Sequence, residues 1–144
     1  MNNDLVAKST VTIHSNQKMV WNALTDPSQI KKYMFGADVE SDWKVGSPIT
    51  WKGEFEGKGF EDKGEITDFV PGEKLGYTHY SAMSGKPDKP ENYHNVTITL
   101  EQKDDAIRVI LNQGGNASEK EREGSQKNWV SMLQGLKKTV EGDA

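Results

Sequence analysis

Hydrophobic and polar positions change period along the chain, and each change marks a new element. From Leu5 to His14 they alternate: Leu5, Ala7, Val11 and Ile13 share one parity, and Thr10, Thr12 and His14 the other. Successive side chains of a strand point to opposite faces, so this is the pattern of a half-buried strand. The spacing then becomes three-and-four. Val20, Ala23 and Leu24 fall on one helical face, with Ser15 or Asn16 placed to cap it. Asp26-Pro27 restarts the chain as a second short helix. Asp26 serves as N-cap, Pro27 stands in the first turn where its missing N–H costs nothing, and Gln29 follows three residues after the cap. Ile30 with Tyr33 or Met34 supplies the inward face, and Phe35-Gly36 ends the helix.

The helical period is absent from Ala37 to Asn112. Trp43 to Pro48 reads as a turn cluster, after which Ile49, Trp51, Gly53 and Phe55 alternate with Thr50, Lys52 and Glu54. Gly57-Lys58-Gly59 is the next turn. Phe60, Gly64 and Ile66 continue on a strand in which Gly64 is placed to mark a bulge. Val70-Pro71-Gly72-Glu73 is a turn supplied by proline and glycine. Leu75, Tyr77 and His79 share one face of the following strand, and Ser84 to Pro90 forms an exposed loop. Val96, Ile98 and Leu100 alternate with Thr97, Thr99 and Glu101; Lys103-Asp104-Asp105 is a tight hairpin; Ile107, Val109 and Leu111 form the last strand. Strands this short, with turns this close, predict an antiparallel meander.

Gly114-Gly115-Asn116 then breaks the sheet, and Ser118 with Glu121 forms a capping box for a helix running to about Val140. Trp129, Leu133, Leu136 and Val140 make one continuous stripe, flanked by Val130 and Met132. Gly124 and Gly135 are costly inside a helix, by about 1 kcal/mol each against alanine, and suit a close approach to the sheet. The stripe and the apolar parity of the strands each need a cover, and each is the other's natural partner. The expectation is one α+β domain over residues 1–144, with a curved antiparallel sheet wrapped around a long C-terminal helix and two short helices between strands one and two.

Composition narrows the function classes. The chain has 144 residues and a net charge of −4, with lysine-rich places such as Lys31-Lys32 and Lys137-Lys138 offset by nearby acids. No clustered cationic face is expected, which argues against nucleic-acid binding. Cysteine is absent, which removes disulfides, thiolate catalysis and Cys-ligated zinc. No apolar stretch approaches the roughly 20 residues of a membrane span. The start Met1-Asn2-Asn3-Asp4 lacks the basic and apolar pattern of a signal peptide, so a cytoplasmic location is expected.

The chemistry-bearing residues are few. His14, His79 and His94 have no metal-binding spacing, no serine sits in a nucleophile elbow, and no glycine-rich loop opens a helix as a phosphate cradle does. No cofactor is expected. His14 reads as exposed, and nothing is read into His94. Carboxylate neighbours such as Glu61 and Asp62 read as the wet face of a strand. His79 shares parity with Leu75 and Tyr77: it is either a hydrogen-bonded core histidine or, turned into a cavity, an acid–base group or polar anchor. The aromatics Trp51, Phe55, Phe60, Tyr77 and Trp129 fall on parities that face one another. They either fill the core or, with Val96, Ile98 and Leu133, line a pocket in which Tyr77 and His79 are the polar groups.

The stretch Val20-Trp21-Asn22-Ala23-Leu24-Thr25-Asp26-Pro27, then Ile30, Val45-Gly46, Gly64-Glu65-Ile66, Leu75-Gly76-Tyr77-Thr78 and Asn128-Trp129 before Leu133 and Leu136, resembles the branch of the SRPBCC (START-like) superfamily typified by activators of the heat-shock-protein-90 ATPase. The chain departs from the branch pattern at Lys32-Tyr33-Met34-Phe35-Gly36, where a tryptophan is usual, and at Gly46-Ser47, where a glycine pair is usual. The resemblance implies the helix-grip fold and a cavity between helix and sheet able to hold an apolar ligand. The leading expectation is thus a protein that binds a small hydrophobic or amphipathic ligand, with no catalysis. A co-chaperone-like domain that contacts a chaperone is the alternative, and a cyclase- or dehydratase-like enzyme using His79 or Tyr77 is the third.

Overall fold

The computed structural model describes residues 5–34, 36–55, 57–81, 87–116 and 118–142, with the side chain of Phe55 outside that description. Strand β1 (Leu5–Ile13) alternates as its sequence predicts, with Ala7, Ser9, Val11 and Ile13 buried and the residues between them exposed. Helices α1 (Gln17–Thr25) and α2 (Pro27–Tyr33) follow. The Asn16 side chain accepts from Met19 N–H to cap α1, and the Asp26 carboxylate accepts from Ser28 N–H to cap α2. The four-residue β2 (Asp38–Ser41) leads into β3 (Pro48–Phe55), β4 (Lys58–Val70) and β5 (Lys74–Ser81). A single 3-10 turn (Pro90–Asn92) precedes β6 (His94–Lys103) and β7 (Ala106–Asn116), and α3 (Glu119–Glu141) closes the chain. Among the described residues no helix is long and apolar enough to cross a membrane.

The seven strands form one antiparallel sheet in the order β1-β7-β6-β5-β4-β3-β2. From β2 to β7 each strand pairs with the one that follows it, whereas β1, separated from β2 by the two helices, pairs with the last strand. Helix α3 lies against β1, β7, α1 and α2. Its 23 residues follow the N-cap Ser118, whose hydroxyl accepts from Glu121 N–H. Leu133 and Leu136 are completely covered, and Met132 nearly so. Val130, expected to flank the stripe, is 46% exposed and faces away from the sheet. Gly135 makes a close approach, though to α2 and not to the sheet as expected: the helix backbone passes so close that a β-carbon there would stand 2.9 Å from the β-carbon of Tyr33. Gly124 has no such neighbour.

Two further expectations about glycine are corrected. Gly114-Gly115-Asn116 does not break the sheet; β7 runs through it to pair Asn116 with Leu5. The register with β1 shifts there, and Gly115 takes φ +83°, as an inserted bulge residue does. The bulge lets the Asn116 amide donate to the carbonyls of Leu5 and Gln113 while its oxygen accepts from Ser125 of α3. On β4 the register shift falls between Ile66 and Asp68, not at Gly64. Gly64 is required for another reason, because a β-carbon there would overlap the Thr78 carbonyl at 1.7 Å. Of the loop expected at Ser84 to Pro90, Ser84, Gly85 and Lys86 lie outside the described residues, and Pro87 to Pro90 are exposed.

The tertiary core is a continuous set of apolar side chains from all three helices and the inner face of the sheet, including Ile13, Val20, Ile49, Ile66, Ile107, Leu111, Leu133 and Leu136. Most of these sit on the parities predicted from alternation. Between the sheet and the stretch of α3 that carries Ser125, Asn128, Trp129 and Met132 a gap remains.

Candidate functional site

Sheet register builds the site. Trp51 of β3 is paired directly with Asp62 of β4, and His79 of β5 directly with His94 of β6. Asp62 faces Ser81 across β5, which makes His79 its diagonal neighbour on the same face. These side chains form a row across the inner face of four strands. The Trp51 ring lies 5.0 Å from the His79 ring in an edge-on arrangement and 5.2 Å from Tyr77.

This row is the floor of a cleft of about 530 Å³. Phe60, Ser81 and Gln113 complete the floor, Met34 and Ala37 close one end, and Ser125, Asn128, Trp129 and Met132 of α3 form the opposite wall. The size is that of a small-molecule site, and the composition fits one too: apolar walls with a few convergent polar groups. Gly53 contributes by having no side chain. The Phe60 ring lies over it, so close that a β-carbon would stand 2.8 Å from that ring.

The polar groups are arranged in two sets. Asp62 Oδ2 and His79 Nε2 are 2.9 Å apart, with the two side chains 18% and 26% exposed. A carboxylate only accepts, so the proton of this contact belongs to Nε2 and the neutral imidazole carries its lone pair on Nδ1. Asp62 Oδ1 is enclosed and has no hydrogen-bond partner among the described residues. In the second set, the Trp129 indole N–H donates to Gln113 Oε1 at 2.8 Å. That fixes the amide orientation and leaves its NH2 group to donate. His94 Nδ1 is 3.1 Å from the Gly114 carbonyl, and its Nε2 stands 3.6 Å from Glu121 on α3. Among the described residues no group of three or more His, Asp or Glu side chains is arranged to hold a metal ion.

Beneath the cleft the space between helix and sheet is filled. A void of about 20 Å³ remains, bordered by Leu24, Ile30, Tyr33, Tyr77 and Ile98, with room for about one water. Burial raises the Tyr77 hydroxyl pKa well above the ordinary tyrosine value, and raises that of Tyr33 with a further contribution from Tyr77. The Tyr33 hydroxyl donates to the Ala23 carbonyl at 2.7 Å and so ties α2 to α1.

The expected site residues therefore divide. Trp51, Phe60, His79 and Trp129 reach the cleft. Tyr77, Val96, Ile98 and Leu133 are buried in the packed layer below it. Sequence reasoning missed three polar residues. Asp62 was assigned to the wet face, yet it shares parity with Phe60 and Ile66, while Glu61 is the exposed one. Gln113 follows Ile107, Val109 and Leu111 on the buried parity of β7, and His94 precedes Val96 and Ile98 on that of β6. A polar side chain on an apolar parity was the available signal in each case. A second concavity of about 580 Å³ lies on the outer face beside Lys63, Thr78, Asp88 and Tyr93. There Asp88 accepts from Tyr93 and pairs with Lys63.

A curved seven-stranded antiparallel sheet gripping a long C-terminal helix, with a half-open cleft between them, is the helix-grip α+β architecture. The chain belongs to the family of activator of Hsp90 ATPase homolog 1-like proteins, whose model matches residues 14–141. No curated protein matches it in sequence. Among solved structures, a Cytophaga hutchinsonii protein determined in solution is 49% identical, with a TM-score of 0.86 over 99% of this chain and 98% of that one. The Aha1 dimer from Colwellia psychrerythraea and an HSP90 activator from Plasmodium falciparum are each 20% identical, with TM-scores of 0.73 over 95% of this chain and 96% of theirs. At that identity the likeness concerns the fold.

Proposed function

We propose that this protein binds a small apolar or amphipathic molecule in the cleft beside Trp129. The observation that carries the reading is the cleft itself, an open volume of about 530 Å³ walled by Trp51, Phe60, Trp129 and Met132. Each 100 Å² of apolar ligand surface covered there contributes about 2.5 kcal/mol.

The test is titration with N-phenyl-naphthylamine, a neutral amphipathic dye, followed by fluorescence. Asn128→Trp places a large ring into the cleft from an exposed position of α3. Dye affinity is expected to fall at least tenfold with thermal stability unchanged. Equal affinity in the folded variant sinks the reading.

The family description, and the relative described as an HSP90 activator, favour a second reading as a co-chaperone-like interaction domain. It predicts a raised chaperone ATPase rate on addition of the protein, and no change at saturating protein ends it.

A further inference from the structure

The fixed charges around the cleft are of one sign. Among the described residues that line it, Asp62 is the only side chain of fixed charge, and no lysine or arginine is present. Asp62 Oδ2 accepts from the neutral His79 imidazole at 2.9 Å, so the pair keeps one negative charge. On the helix side, Glu121 stands 3.6 Å from Nε2 of His94, which also lines the cleft. Neighbouring cations are engaged elsewhere: Lys31 pairs with Asp38, and Arg122 is bonded to Glu119 and Gln126. An anionic ligand would leave water with no cation to meet it, which is costly. A cation gains instead, because the attraction of a carboxylate is less damped in an apolar cleft than in bulk water. The walls add a second attraction. Trp51, Phe60 and Trp129 bring three aromatic rings to the same space. The face of such a ring is partly negative and attracts a desolvated cation, tryptophan most strongly. Asp62 Oδ1 is enclosed and Oδ2 is taken by His79, so the carboxylate acts through its field and not as a hydrogen-bond acceptor. A quaternary ammonium matches those terms, since it has no N–H to satisfy and holds its water loosely.

We propose that the cleft selects an organic cation, a quaternary ammonium group carried on an apolar or aromatic body. The head group sits among Trp51, Phe60 and Trp129 with Asp62 as its counter-charge, and the body covers Met34 and Met132. This inference names the ligand class of the binding site proposed above and rests on that site being open.

A matched set of probes separates charge from shape. The cation is naphthylmethyl-trimethylammonium, the neutral isostere carries tert-butyl in place of trimethylammonium, and the anion is naphthylmethanesulfonate. Affinities are read by displacement of N-phenyl-naphthylamine, with calorimetry measuring the ammonium probe directly. The wild-type protein should bind the ammonium about tenfold more tightly than the isostere, and the sulfonate least tightly of the three. Asp62→Asn keeps the shape and removes the charge, and should cut the ammonium-to-isostere ratio about fivefold. Trp129→Leu keeps an apolar wall and removes the ring, and should cut that ratio about threefold. Each ratio is taken within one protein, so a general loosening of the fold cancels from it. An ammonium bound no more tightly than its isostere overturns the proposal, as does a sulfonate bound more tightly than the ammonium. A preference undiminished in both variants overturns it too, because the cation then binds outside the cleft. The dye distinguishes the two failures. Dye bound by wild type without a preference for the ammonium removes the charge selection and leaves an apolar binding site, whereas no binding of dye or ammonium ends both readings.

Discussion

Replacing Gly135 by alanine sets two known effects against each other, and the structure decides the sign. Alanine is worth about 1 kcal/mol more than glycine in a helix interior, because glycine loses more backbone freedom on folding. Helix propensity alone therefore predicts a gain. In the fold, the added β-carbon stands 2.9 Å from the β-carbon and 3.6 Å from the α-carbon of Tyr33. Ordinary contact begins several tenths of an ångström further out, so α2 or α3 must move. Tyr33 gives little ground: the residue is 8% exposed and its hydroxyl is held by the Ala23 carbonyl. Overpacking of this kind costs about 1–3 kcal/mol, and an obstructing atom so close to the main chain argues for the upper part of that range. The expected net effect is a loss of about 1–2 kcal/mol after the propensity gain is subtracted. Gly124 supplies the control in the same helix, because a β-carbon there meets nothing within 4 Å. Gly124→Ala should gain about 1 kcal/mol. The two variants should thus differ by about 2–3 kcal/mol in urea unfolding at constant slope, and by about 5–10 °C in melting temperature. If Gly135→Ala is as stabilised as Gly124→Ala, α2 and α3 do not approach as closely as described, and the end of the cleft formed by Met34 and Ala37 is misplaced with them.

Two further outcomes follow from the ends of α3. Ser118→Ala removes the acceptor of Glu121 N–H and should cost about 1 kcal/mol in urea unfolding; an unchanged midpoint would show that another group caps the helix. At the other end, Glu141 accepts from His14 N–H and from Lys137, each at 2.8 Å, and these bonds, His14 first, hold its carboxyl below the ordinary value of 4.5. A lowered folded-state pKa means stability that is present above pH 4.5 and lost as pH falls through the folded value. Glu141→Gln should therefore lose less stability than wild type on acidification below that pH, read as melting temperature from neutral to acid; parallel curves would refute the assignment.

What the sequence determined was whatever depends on neighbours in the chain. Alternation set the inward faces of β1, β3, β5, β6 and β7, because side chains of a strand alternate whatever lies opposite. Asp26-Pro27 and Ser118 with Glu121 set helix starts through hydrogen bonds spanning three residues or fewer. The glycines were legible as exceptions, but their reasons were not. The reason for Gly64 is the Thr78 carbonyl on the next strand, and that for Gly135 is a tyrosine on another helix. Gly115 looked like a terminator because a local reading cannot see that β1 is waiting to pair beyond it.

The cleft belongs to the same class of question. Alternation put Trp51, Tyr77, Val96 and His79 on inward faces alike, and the helical stripe did the same for Leu133. It could not say at which depth the helix still touches the sheet. That depth depends on where α3 crosses β1 and β7, and on the bulge at Gly115 that ties Asn116 to Ser125. Past that point the helix leaves the sheet, so Tyr77, Val96 and Leu133 are packed while Trp51, His79 and Trp129 border open space. The sequence held the residues of the site; only the crossing of helix and sheet decided which of them a ligand can reach.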